Sequence, residues 1–157
     1  MGRRGVNRVH DLWLRWQRWP LGRWLFSKAV GRMAPYTGTI SPRVVALEPG
    51  YAKVEMRDQR GIRNHLDSIH AIAQMNLAEV TSGLAMSAAL PADARGIITA
   101  LSIDYVKKAR GRLTAECRCP PPEGSEEREY EIEAVVRDPS GEIVSRATAR
   151  WLIGPRR

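Results

Sequence analysis

Asn64, His70 and Glu79 are the residues of this chain whose types and spacing could do chemistry. Glu79 is the only formally charged residue between Asp67 and Asp93. An apolar stretch of that length is normally buried, and a buried carboxylate is costly unless it is paired, hydrogen-bonded or protonated. Burial raises its pKa, which suits a general base on water or a direct nucleophile at an acyl carbon. Alone, each residue has a plainer role: Glu79 as a structural hydrogen-bonding group, His70 as a helix cap, Asn64 as a turn residue. His65 and His10 have no partner that the sequence identifies. Only the joint spacing lifts the first three above these roles.

His70 and Glu79 are nine residues apart. On a helix this is a rotation of about 900° with a rise of about 13.5 Å, so the two face opposite sides. They cannot meet within one chain. A two-fold dimer with antiparallel neighbouring helices would bring His70 of one copy to Glu79 of the other and create two composite sites. The free N–H groups at a helix start, such as that of Ala71, suit a carbonyl oxygen gaining negative charge. The same positive end disfavours a protonated His70.

The elements that must position these residues follow from pattern. A long apolar helix spans about residues 68–90, with Asp67 or Ser68 as cap and Pro91 as stop. Before it, Ile40–Leu47 and Tyr51–Met56 read as a hairpin turning at Glu48-Pro49-Gly50. After it come four strand-like runs, Gly96–Lys107, Arg112–Cys119, Arg128–Arg137 and Ile143–Ile153, separated by credible turns. One long helix among antiparallel strands predicts an α+β layer with a curved sheet wrapped around the helix. Covering so apolar a helix calls for a second copy of the chain.

Charge is unevenly distributed. Residues 1–32 hold eight Lys or Arg and one Asp, a net of +7 out of +8 for the 157-residue chain. The rest is nearly neutral, which argues against a nucleic-acid-binding domain. Val6, Val9, Trp13 and Trp16 recur at helical spacing, and a second helix follows Pro20 and ends at Ala34-Pro35. These helices either pack their Trp face on the domain or a partner, or lie on a membrane surface with Arg toward anionic headgroups. Arginines interrupt any signal-like apolar core, and no run suits a lipid-facing span. Cys117 and Cys119 read as reduced packing residues, and the chain as soluble and cytoplasmic. No ligand spacing suggests a metal.

The pattern Asn64, His70, Glu79 on a helix after a hairpin resembles the hotdog-fold acyl-CoA thioesterases of the phenylacetyl-CoA type. More closely, the chain is similar to a bacterial hotdog branch of unknown function. The matching features are Pro20–Phe26, Ala34-Pro35-Tyr36, Arg63-Asn64-His65, Ile69-His70-Ala71, Glu79, Tyr105–Gly111 and Arg137–Glu142. The resemblance implies a hotdog domain over residues 36–157 with a helical extension over residues 1–35. It places Glu79 at the catalytic carboxylate position, His70 at the substrate-orienting histidine and Asn64 at the assisting asparagine. Ala71 stands for the first glycine of the family's His-Gly-Gly turn and keeps its N–H as oxyanion donor. Ile72 stands for the second glycine and narrows the approach of a thioester. Thr99 is nearest to a Ser or Thr that some thioesterases use on the strand after the helix.

Coenzyme A carries phosphates, and Lys107, Lys108 and Arg110 lead into Gly111, where backbone can approach a ligand closely. The resemblance implies that this region holds the nucleotide portion, the alternative being a solvated strand end. The expected activity is hydrolysis of an acyl-CoA or acyl-carrier thioester by a dimer or dimer of dimers, with coenzyme A entering only as part of the substrate and no other cofactor. The alternative is a non-catalytic hotdog module that binds acyl thioesters or fatty acyl chains, with residues 1–32 contacting a membrane.

Overall fold

The computed structural model describes residues 8–156. Arg3, Arg4, Val6 and Arg157 lie outside the described residues. Two helices come first, α1 (Arg8–Trp16) and α2 (Gly22–Met33), followed by the short α3 (Pro35–Gly38). The hairpin β1 (Arg43–Glu48) and β2 (Tyr51–Met56) turns through Gly50, whose φ of +78 and close approach to the Cys119 carbonyl exclude a side chain. A single 3-10 turn (Arg60–Ile62) leads to the long helix α4 (Ala71–Ala89). The remaining strands are β3 (Ala94–Tyr105), β4 (Leu113–Arg118), β5 (Arg128–Arg137) and β6 (Ile143–Pro155).

All six strands form one antiparallel, curved sheet in the order β1-β2-β4-β5-β6-β3. This is the hotdog arrangement that the resemblance implies. The chain reaches the far edge of the sheet only by way of α4, so the helix crosses the strands and packs on them. Small residues let it lie close: a side chain at Gly83 would meet the Trp151 ring at 3.2 Å. The Trp151 indole N–H donates to the Ser82 hydroxyl at 3.4 Å, tying α4 to β6.

Leu77, Ala85 and Met86 of α4 share one core with Val54, Met56, Leu113 and Val136 of the sheet. Trp13 and Phe26 join that core from α1 and α2, edge to face with ring centroids 5.1 Å apart. The Ser27 hydroxyl accepts the Val44 N–H at 2.9 Å, which protects the outer edge of β1. The N-terminal helices therefore pack on the domain, though not through their whole Trp complement. Trp19 and Trp24 are exposed.

Candidate active site

The site is built on the connection between β2 and α4. Asn64 Oδ1 accepts the Leu66 N–H, the Ser68 N–H and the Ser68 hydroxyl at 3.0, 3.3 and 3.1 Å. Arg63 and Ile69 pair in an isolated antiparallel bridge around this turn. Arg63 reaches Asp58 at 2.7 Å and Asp67 at 3.0 Å, while Arg110 donates to the backbone carbonyls of Asp67 and Leu66. The Ile69 N–H donates to Ala109 O and the His70 N–H to Ile62 O, each at 2.8 Å. Burial pushes the Asp58 carboxyl up, but hydrogen bonds from Arg63 and the Gly111 N–H, with the Arg63 charge, outweigh it and hold the group below the usual carboxylate range.

This clamp delivers His70 to the N-cap of α4, where its Nδ1 accepts the Ile72 N–H at 3.1 Å. The expected caps, Asp67 and Ser68, lie earlier in the turn. Ser68 is held by Asn64 and Asp67 by Arg63, so the helix starts after them. An accepting Nδ1 keeps its lone pair, which puts the ring proton on Nε2, and the ring is exposed to donate it. The Ala71 N–H has no intrahelical acceptor. Its carbonyl accepts the Tyr105 hydroxyl at 2.8 Å, pinning the first turn of the helix to the end of β3.

Further along α4, Gln74 and Asn76 are buried and donate to the backbone carbonyls of Ile69 and Tyr36, each at 3.2 Å. Glu79 differs from them. Its half-buried carboxylate has no hydrogen-bond donor and no cation among the described residues, and burial alone pushes its pKa up. It lies on a stripe with Ile72, Met75 and Gly83 that neither the sheet nor the N-terminal helices fully cover. Ile72 is 47% exposed on that stripe. His70 and Glu79 are not brought together within one chain, as helical geometry requires.

The other expected contacts are dispersed. Thr99 sits at a bulge of the edge strand β3, with its hydroxyl donating to Arg150 O at 3.3 Å. Lys107 is paired with Asp138 at 2.7 Å and with Glu142. Arg110 is spent on the loop carbonyls, and the Gly111 N–H on Asp58 at 2.8 Å. Gly111 has φ +75 and packs against Pro139, which accounts for the glycine without a ligand. Lys108 alone of this group has neither ion pair nor hydrogen bond among the described residues and remains exposed. Sequence reasoning assigned no role to Tyr105 or Asp58. The signal for Asp58 is a lone acid in a polar connector that also holds Arg57, Arg60 and Arg63.

The fold is that of a hotdog domain. The chain belongs to the family described as Domain of unknown function (DUF4442), whose model matches residues 22–153. A structural-genomics crystal structure superposes with a TM-score of 0.82 at 28% identity, covering 95% of this chain and 99% of that one. A Pseudomonas aeruginosa protein named a probable thioesterase gives 0.75 at 22% identity, covering 83% and 93% of the two chains. A thioesterase family protein from Silicibacter pomeroyi gives 0.71 at 16%, covering 83% and 96%. Among curated proteins no relative matches. Among the described residues no helix is long and apolar enough to cross a membrane.

Proposed function

We propose that the chain hydrolyses an acyl thioester, carried by coenzyme A or an acyl carrier, at a site completed by a second copy of itself. The observation that carries this reading is Glu79, a half-buried carboxylate without a partner on the uncovered stripe of an otherwise buried helix. The neighbouring polar side chains Gln74 and Asn76 donate to backbone carbonyls of the fold, whereas the Glu79 carboxylate is held by nothing among the described residues. The thioesterase names of the Pseudomonas and Silicibacter neighbours support the same class of reaction.

In the reaction, Glu79 takes a proton from water as the water oxygen bonds to the thioester carbon. Its raised pKa makes it a stronger base than an ordinary carboxylate. The tetrahedral oxyanion is met by the Ala71 N–H of the facing subunit, with His70 Nε2–H and the Asn64 amide orienting the carbonyl. The C–S bond then breaks, the electron pair leaves on sulfur, and the thiolate takes the proton from Glu79.

The second copy is motivated by two surfaces of the monomer. One is the Ile72–Met75–Glu79–Gly83 stripe. The other is the outer edge of β3, a 12-residue strand paired only with β6 and exposing Ile97. A long apolar edge is an aggregation hazard unless something covers it. Free, buried Cys117 and Cys119 support a reducing, cytoplasmic setting. Steady-state hydrolysis of an acyl-CoA panel tests the proposal. Turnover that falls on Glu79→Gln is expected; no turnover by the wild type, or full activity without the carboxylate, overturns it. The second reading, a non-catalytic acyl-binding module, is favoured by one observation: the branched Ile72 side chain stands exposed at the mouth of the helix. Acyl-CoA binding without turnover would establish it.

A further inference from the structure

The exposed tryptophans Trp19 and Trp24 line a groove to which Glu79 does not contribute. This groove of about 1000 Å³ runs between α2 and the β1–β2 hairpin. Five cations line it (Arg23, Lys28, Arg43, Arg57 and Arg112) against one carboxylate, Glu55. Glu55 is shared between Arg43 at 3.9 Å and Arg112 at 3.5 Å. No carboxylate pairs with Arg23, Lys28 or Arg57 among the described residues. Lys28 instead sits 5.7 Å over the exposed Trp24 ring.

Beside the cations stands an apolar cluster that the fold does not bury. Trp19 is 72% exposed, Leu21 67% and Trp24 56%. Gly22 and Phe26 lie on the opposite face of α2 from Trp24 and are buried, and Ser27 at the flank ties the helix to β1. The orientation is therefore imposed by packing: with Gly22 and Phe26 inward, Trp24 and Lys28 point out.

We propose that this face docks on an anionic lipid bilayer, with headgroup phosphates in the groove and Trp19, Leu21 and Trp24 in the interfacial layer. A soluble phosphate would use the cations but gain nothing from the exposed leucine and indoles. A nucleic acid would stack on the indoles but has no use for Leu21. A bilayer surface uses both, since phosphates, indole-preferring carbonyls and hydrocarbon lie in successive layers. The face also lies at the β1–β2 end of the sheet, away from the free β3 edge, so a second copy covering that edge leaves it open. The proposal does not rest on the thioesterase reading.

The test is co-sedimentation of the full chain with vesicles of phosphatidylserine and phosphatidylcholine, and with phosphatidylcholine alone. Binding is expected only with phosphatidylserine, weakening with added salt. Replacing Lys28 and Arg57 by Gln lowers partitioning by about 25-fold, taking about fivefold per cation. Trp19→Ser with Trp24→Ser lowers it about tenfold or more without changing the salt dependence. These side chains are exposed, and unchanged thermal melting confirms that each variant is folded. Absence of binding to phosphatidylserine vesicles overturns the proposal. So does equal binding to neutral vesicles, or binding that the tryptophan pair does not affect. Binding of a single-stranded oligonucleotide in place of vesicles would assign the face to nucleic acid and equally overturn it.

Discussion

The Nδ1 of His70 accepts the Ile72 backbone N–H at 3.1 Å, so one ring nitrogen closes the start of α4 while the other is left to donate outward. Structure and chemistry are thereby separated within a single side chain, and substitution can test them apart.

His70→Ser keeps a strong N-cap and loses the Nε2–H. Its melting temperature is expected within a degree or two of wild type, while kcat for thioester hydrolysis falls by about 10²-fold or more. His70→Ala loses the cap as well, costing about 1 kcal/mol, or roughly 2–4 °C in this size range. Thermal melting beside steady-state kinetics distinguishes the two variants.

Glu79→Gln is expected to lower kcat by about 10²- to 10⁴-fold. Its effect on stability carries the opposite sign. Because burial raises the folded pKa of Glu79, the native state holds its proton to higher pH than the unfolded chain does. Stability therefore falls as pH rises from the ordinary carboxylate value through the raised one. At pH 7 the Gln variant should be the more stable, by under about 1 kcal/mol once solvent screening is allowed for. At a pH below the ordinary carboxylate value the gain should vanish. Melting curves of both proteins across this range check the crossover.

Complementation addresses the composite site. On the proposed dimer, Glu79→Gln and His70→Ser should each lose nearly all activity when assembled alone. After subunit exchange half the dimers are mixed, and each of those holds one site with both native residues. Recovery of about a quarter of wild-type activity is expected. A site contained within one chain would show no recovery.

Asp58 ties the connection between β2 and α4 to the Gly111 turn. Asp58→Ala leaves the Gly111 N–H and Arg63 without their acceptor and should cost about 1–3 kcal/mol at pH 7. The folded pKa is depressed, so this contribution is present above the ordinary carboxylate value and is lost as pH falls through the depressed one. Denaturant titrations at neutral and acidic pH should show the difference shrinking.

Burial, with smaller contributions from Cys119 and Glu133, pushes the Cys117 thiol up to about 12, and burial pushes Cys119 up to about 11. Neither should react with a thiol reagent at pH 8 in the folded protein, and both should react at least about tenfold faster once it is unfolded.

Much of the fold was legible because it depends on local pattern. The apolar run around Glu79 specifies a helix, Glu48-Pro49-Gly50 specifies a hairpin, and alternation marks the strands after Pro91. Helical periodicity alone sets His70 and Glu79 on opposite sides. What tertiary structure decided concerns faces and partners set by residues distant in the chain. The landing of α1 and α2 on the sheet buries Trp13 and leaves Trp19 and Trp24 outside. The return of the chain through Asp138 and Glu142 occupies Lys107, a cation that local reading left available for phosphate. Asn64 and Arg63 hold Ser68 and Asp67 back from the helix, which makes His70 its cap. Periodicity places side chains around an axis; only the packing of the other elements determines which side of that axis stays open, and here it is the side that carries Glu79.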